Sequence, residues 1–214
     1  FFNTGQSCHA PSRMLVHESQ MEAALPYLAE EAGKYVIGDP RDPATTMGPA
    51  VSLAQFETVQ RYIQTGIDEG ARLVCGGAGR PEGFDKGYFV RPTVFADVAP
   101  DMTISREEIF GPVLAVIPYA DEEEAIRIAN DSIYGLGGYV FAADEAKGHE
   151  VASRLRAGRI CVNGAATNSL TPMGGYKQSG IGRSMGMFGL EEYLEIKSVY
   201  GCGGIAADLP ELPH

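Results

Sequence analysis

The sequence has no tryptophan, only four cysteines and four histidines in 214 residues, and few basic side chains, 17 Lys and Arg against 28 Asp and Glu. Each scarcity excludes something. Cys8, Cys75, Cys161 and Cys202 are scattered without a C-x-x-C pair, which fits neither a zinc ribbon nor a disulfide framework. His9, His17, His149 and His214 form no metal-ligand spacing, so no metal is expected. A formal net charge of -11, without any Lys/Arg run, repels phosphate backbones and argues against nucleic acid as a partner. No apolar stretch approaches the roughly 20 residues needed to cross a bilayer, so a membrane partner is not expected either. What is present is an ordinary globular composition, 44% hydrophobic and 21% charged, on a chain long enough for one sizeable core.

Strand and helix periodicities alternate along most of the length. Strands are expected at 14–17, 72–75, 113–119, 138–142 and 159–163. Helices are expected over 21–34, from Leu53 to near Gly70, from Asp121 onward and over 144–156. Ser52-Leu53-Ala54-Gln55 has the spacing of a capping box, and Leu53, Phe56, Val59, Ile63 and Ile67 then recur every three or four residues. Residues 88–98, interrupted by Pro92, read as a strand edge or an irregular segment. Asp121-Glu122-Glu123-Glu124 places acids in a first helical turn, where they complement the amide dipoles; a cation site is the weaker reading. Residues 164–186, rich in Gly, Ser, Thr, Asn and Pro, are too many for an ordinary connector and read as a functional or mobile loop. A short helix near 189–193, an alternating strand at 195–200 and a tail close the chain. This βαβα order favours an α/β fold, a mostly parallel twisted sheet with flanking helices.

Two segments carry chemistry. Cys8 sits between Gly5-Gln6-Ser7 and Ala10-Pro11-Ser12, an irregular bend that presents a side chain and free backbone amides together. A thiolate attacks carbonyl carbon, and such amides can hold the resulting oxyanion. Most free cysteines are inert core residues, the reading preferred for Cys75 and Cys161 on apolar strands. His9, as an immediate neighbour, is expected to point away from the thiol. A hundred residues later, Glu107-Glu108-Ile109-Phe110-Gly111-Pro112 sets a carboxylate before an apolar pair and a turn. A carboxylate suits the two neighbouring donors of a ribose diol, although spacing alone favours a surface pair of acids.

The start of the chain through Cys8 resembles the nucleophile motif of the aldehyde dehydrogenase superfamily, F-x-N-x-G-Q-x-C, at every fixed position. Residues 107–113 resemble the E-E-I-F-G-P-V signature of that family. Pro172-Met173-Gly174-Gly175-Tyr176-Lys177-Gln178-Ser179-Gly180 resembles its P-F-G-G-x-K-x-S-G segment, with Met173 in place of the usual aromatic. The resemblance extends to about Tyr200. It implies the catalytic domain of that fold over 1–190 and, over 191–214, a helix end, an oligomerisation strand and a tail. The cofactor-binding domain, the glutamate base and the oxyanion asparagine would precede Phe1, so the 214 residues alone are expected not to catalyse the oxidation. By resemblance Cys8 is the nucleophile, Glu108, Phe110 and Gln55 contact the cofactor, and Ser7, His9 and Met173 wall the substrate pocket. NAD or NADP is the implied cofactor and an aldehyde the substrate, oxidised to a carboxylic acid through a thiohemiacetal and a thioester. A cytoplasmic homo-oligomer, dimer or tetramer, is the expected setting. The alternatives are a cysteine hydrolase or acyltransferase, whose thiol needs a histidine base, and a noncatalytic assembly module.

Overall fold

The computed structural model describes residues 1–201, so Cys202 and the rest of the tail lie outside the described residues. In chain order the strands are β1 (Arg13–His17), β2 (Arg72–Cys75), β3 (Thr93–Ala96), β4 (Val113–Tyr119), β5 (Gly137–Val140) and β6 (Arg159–Val162). The helices are α1 (Met21–Gly33), α2 (Leu53–Asp68), α3 (Thr103–Arg106), α4 (Glu122–Asn130), α5 (Glu145–Arg154) and α6 (Gly186–Glu191). Apart from the strand expected at 195–200, the strands and helices expected from periodicity recur within a few residues; α3 and the 3-10 turn at Phe2–Gly5 carry no such signal.

β4 runs through the middle of a four-stranded sheet, order β1-β4-β3-β2, parallel to β1 and β3, while β2 pairs antiparallel with β3. Its sequence, Val-Leu-Ala-Val-Ile-Pro-Tyr, is apolar almost throughout because both faces of the sheet are covered. Side chains alternate between the two faces. Val113, Ala115 and Ile117, with Phe95 of β3, join the α2 stripe Phe56, Val59 and Ile63 in one core. Val116, with Val94 and Ala96 of β3, packs on Met21, Leu25 and Ala32 of α1 in the other. Each of the larger side chains, Val, Leu, Ile, Phe and Met, contributes about 1.5–3 kcal/mol by leaving water.

Pro92 does not mark an edge. β3 is buried between β4 and β2, and the proline stands just before its first paired residue, Thr93, where a missing N–H takes nothing from the ladder. A second departure concerns the sheet itself. β5 and β6 form a separate parallel pair, and no strand among the described residues joins it to the outer edge of β1. Periodicity reports that a segment is extended; it carries no information on which edges meet. Residues 195–200, expected as a closing strand, are irregular and exposed. An edge strand needs the amides and carbonyls of a neighbour, and the described residues offer none there.

The acidic run at the start of α4 is a cap and a clamp. Asp121 accepts from the Glu124 amide at 2.9 Å and Glu124 accepts from the Ala120 amide at 2.9 Å. Glu122 takes Lys147 of α5 at 2.8 Å, and Glu123 takes Arg154 of the same helix. At the other end, the last carbonyls of α4 receive cations, as a helix C-terminus favours. Arg13 donates to the Ile128 carbonyl at 2.7 Å, and Lys177 donates to Asn130 and Ser132 at 2.7 and 2.8 Å. No helix among the described residues is long and apolar enough to cross a membrane.

Candidate active site

The turn that carries Cys8 is reached through three consecutive residues in the left-handed region, Asn3 (φ 51), Thr4 (φ 57) and Gly5 (φ 69). That conformation costs a non-glycine residue roughly 1–2 kcal/mol. Hydrogen bonds offset the cost. Asn3 Nδ2 donates to the Gln6 carbonyl at 2.9 Å, Thr4 Oγ1 to the Gly48 carbonyl at 2.9 Å, and Gln6 Oε1 accepts from the Val51 amide at 2.8 Å. Beyond them the Ala10 amide closes the turn on the Ser7 carbonyl at 3.0 Å. Cys8 is a free, exposed thiol at its tip. Ser7 Oγ and His9 Nδ1 meet each other at 3.3 Å, and the Tyr139 hydroxyl of β5 donates to the His9 carbonyl at 3.3 Å. No hydrogen bond among the described residues reaches the thiol, so His9 is not placed as its base.

The carboxylate loop lies directly beneath this turn. Gly5 and Gly111 touch backbone to backbone: a Cβ on Gly5 would lie 2.0 Å from the Gly111 carbonyl oxygen. Gly111 in turn leaves no room over α2, because a Cβ there would lie 2.4 Å from Cγ2 of Val59. Phe110, the residue before Gly111, is left-handed at φ 53 and 37% exposed. Gln55 secures that backbone: Nε2 donates to the Ile109 carbonyl at 3.1 Å and the Phe110 carbonyl at 2.9 Å. Ser52 does cap α2, accepting from the Gln55 amide at 3.2 Å, but the Gln55 side chain crosses to the loop instead of completing a capping box. Glu108 is exposed and makes no hydrogen bond or ion pair among the described residues. A carboxylate with unengaged oxygens, beside a partly exposed ring, is a donor-accepting set that fits a ribose joined to a flat aromatic base.

Met173 belongs to a different neighbourhood. Its amide and carbonyl exchange hydrogen bonds with Ser184, both at 2.7 Å, folding 173–184 into a closed loop. Glycines make that loop tight against β6: a Cβ on Gly158 would lie 1.7 Å from the Gly174 carbonyl oxygen. Tyr176 and Ser179 bind Gly135, ahead of β5, at 2.8 and 3.0 Å, and Lys177 ties the loop to the end of α4. Burial lowers the Lys177 pKa, with help from Arg156 and Arg13. The structure thus joins the Cys8 turn to the Glu108 loop through Gly5 and Gly111, and joins His9 to β5 through Tyr139. Among the described residues no hydrogen bond or ion pair joins Met173 to either. The supporting contacts of Tyr139, Lys177 and Gln55 reach across 130, 47 and 55 residues of sequence; Lys177 and Gln55 stand in segments already singled out, but no local pattern gives the partners of any of the three.

The model of the aldehyde dehydrogenase family matches residues 1–199. A 3-succinoylsemialdehyde-pyridine dehydrogenase of a Pseudomonas species is 54% identical over 203 residues, 94% of this chain and 42% of the relative. Among solved structures, a mutant of aldehyde dehydrogenase C from Pseudomonas syringae, in complex with NAD+ and octanal, superposes with a TM-score of 0.89 at 49% identity. That match covers 91% of this chain and 40% of the other. A Mycobacterium tuberculosis aldehyde dehydrogenase complexed with NAD+ gives 0.87 at 49% identity, over 90% and 40%. The chain spans about two fifths of the length of the relatives it matches.

Proposed function

The chain belongs to the aldehyde dehydrogenase family, and from that premise we propose that it is the thiol-bearing C-terminal part of an NAD(P)-dependent enzyme that oxidises an aldehyde to a carboxylic acid. In this reading residues 1–190 form the catalytic domain, and 191–214 the helix end, oligomerisation strand and tail. One observation carries it: an exposed cysteine on a locked turn shares a backbone contact with the loop that presents an unengaged carboxylate.

Cys8 sulfur bonds to the aldehyde carbon and yields a thiohemiacetal. The backbone N–H of Cys8, which donates to no acceptor among the described residues, is the donor this chain offers to the developing oxyanion. Glu108 would accept from the ribose hydroxyls of the cofactor, and Phe110 would pack near its nicotinamide. When bound, the nicotinamide would supply the acceptor for the hydride leaving the substrate carbon, and Cys8 would then carry a thioester. The water that cleaves it needs a base, and among the described residues no side chain is placed for that role; the upstream part of the enzyme is the expected source. Ser7 and His9 border the thiol, and Met173, a flexible thioether, suits apolar aldehydes of varied shape. A homo-oligomer is expected, and the unbridged Cys8, Cys75 and Cys161 fit a reducing cytoplasm.

Replacing Cys8 by alanine in the full-length protein should abolish aldehyde-dependent NAD(P)H formation while cofactor binding, followed by calorimetry, persists. Oxidation that survives C8A overturns the reading. The 214 residues alone should not oxidise aldehydes, and steady NADH production from the purified chain would overturn that part.

A further inference from the structure

The signature segment presents two adjacent carboxylates, yet only one can face the cofactor, and the structure assigns the choice to Tyr62. We propose that Tyr62 is a positioning residue for cofactor binding, which engages Glu107 and so leaves Glu108 as the single carboxylate open to the ribose. This rests on the cofactor reading of Glu108 given above.

Gln55, Val59 and Tyr62 stand at i, i+4 and i+7 of α2 and therefore share one face. All three act on the same short segment. Gln55 takes the Ile109 and Phe110 carbonyls, Val59 fills the space over Gly111, and the Tyr62 hydroxyl donates to Glu107 Oε2 at 2.8 Å. The segment is pinned at both ends and in the middle by one rigid helix. Glu107 follows α3 with extended backbone, φ -107 and ψ 152, and its amide is fixed to the Thr103 carbonyl at 2.9 Å. Successive side chains of extended backbone point to opposite sides. With Glu107 held against α2, Glu108 is turned away from it, into the exposed position where it has no partner among the described residues.

Tyr62 suits the task. Its ring packs against the core below α2. Burial, then the bond to Glu107, pushes its pKa up to about 12, so the hydroxyl remains a donor across the working range of the enzyme. Without that donor the two acids are equivalent in chemistry and separated only by backbone geometry. Glu107 would then be free to rotate, to compete for the ribose hydroxyls and to repel Glu108.

Full-length wild type, Y62F, E107Q and E107L are compared by calorimetric titration with NAD+ and NADP+, with the rate of Cys8 alkylation by iodoacetamide as a cofactor-free reference. Removing a hydrogen bond to a charged acceptor at a half-open site should weaken cofactor binding about fivefold in Y62F, about 1 kcal/mol. E107L, which removes the competing acid itself, should stay within about twofold of wild type, as should E107Q, whose amide oxygen still accepts from the phenol and carries no charge. A merely structural tyrosine would lower the melting temperature and leave the dissociation constant unmoved. Cofactor binding by wild type with no change in Y62F, or with E107L weakened as much as Y62F, overturns this inference alone. A wild-type protein that takes up neither NAD+ nor NADP+ overturns it together with the cofactor reading of Glu108.

Discussion

Replacing Gly5 by alanine is the sharpest perturbation of the contact on which the site is built. Two costs add at that position. The first is conformational: at φ 69 an alanine sits in the left-handed region, about 1–2 kcal/mol above its preferred backbone. The second is steric. The added Cβ would lie 2.0 Å from the Gly111 carbonyl oxygen, 2.3 Å from its carbon and 2.8 Å from the Pro112 nitrogen. All three are backbone atoms, held from below by Val59 and Gln55, so no side chain can rotate out of the way; forced overpacking of this kind costs about 1–3 kcal/mol. The total is about 2–5 kcal/mol. Gly70 separates the two contributions, because its φ is 90 and nothing lies within 4 Å of a Cβ built there. G70A should therefore cost only the conformational part, about 1–2 kcal/mol. Urea denaturation of the full-length variants, followed by circular dichroism, measures both. If G5A loses no more stability than G70A, the Gly5–Gly111 contact is not the joint described above. If the joint is real, G5A also separates the thiol turn from the carboxylate loop, and its cofactor affinity falls with its stability.

Gln55→Ala should lower cofactor affinity and cost about 1–2 kcal/mol of stability through two lost hydrogen bonds to the loop carbonyls; an unchanged dissociation constant in calorimetry would count against the clamp. Lys177→Met should cost about 1–3 kcal/mol in urea denaturation by leaving the Asn130 and Ser132 carbonyls unmatched, and a neutral effect would show that the loop is held elsewhere. Acid stability follows from two exposed pairs: the hydrogen bond from Arg154 depresses the pKa of Glu123, and that from Arg106 depresses Asp131. Depressed folded values mean that this stability is complete above the ordinary values of 4.5 and 3.8 and is lost as pH falls through the folded ones. The E123Q/D131N double variant should accordingly show a shallower fall of melting temperature below about pH 4.5 than wild type, and parallel curves would refute the linkage.

Much of this was legible in the sequence, for reasons that differ by element. α2 was visible because Phe56, Val59 and Ile63 repeat at the helical period, and β4 because a strand covered on both faces is apolar throughout. Cys8 and Glu108 were visible as motifs, since each lies in a short segment whose residue types stand next to one another in the sequence. Pairing partners were not legible: β3 became a central strand despite Pro92, and β5 and β6 stand apart from the main sheet. The same limit hid Gln55 as a loop clamp, since its acceptors are carbonyls turned by a left-handed Phe110, which no residue type encodes. Residues 195–200 carry a strand pattern that has no partner here, and alternation alone states only that a face could be covered.

Intact-mass and peptide mapping of the full-length enzyme, quenched in acid during turnover of an aliphatic aldehyde with NAD+, puts the role of Cys8 to the most direct trial. An acyl group of the mass of the oxidised substrate, confined to the peptide that holds Cys8 and absent when NAD+ is omitted, is the expected outcome. Turnover with Cys8 unmodified throughout, or acylation on another cysteine, would contradict it.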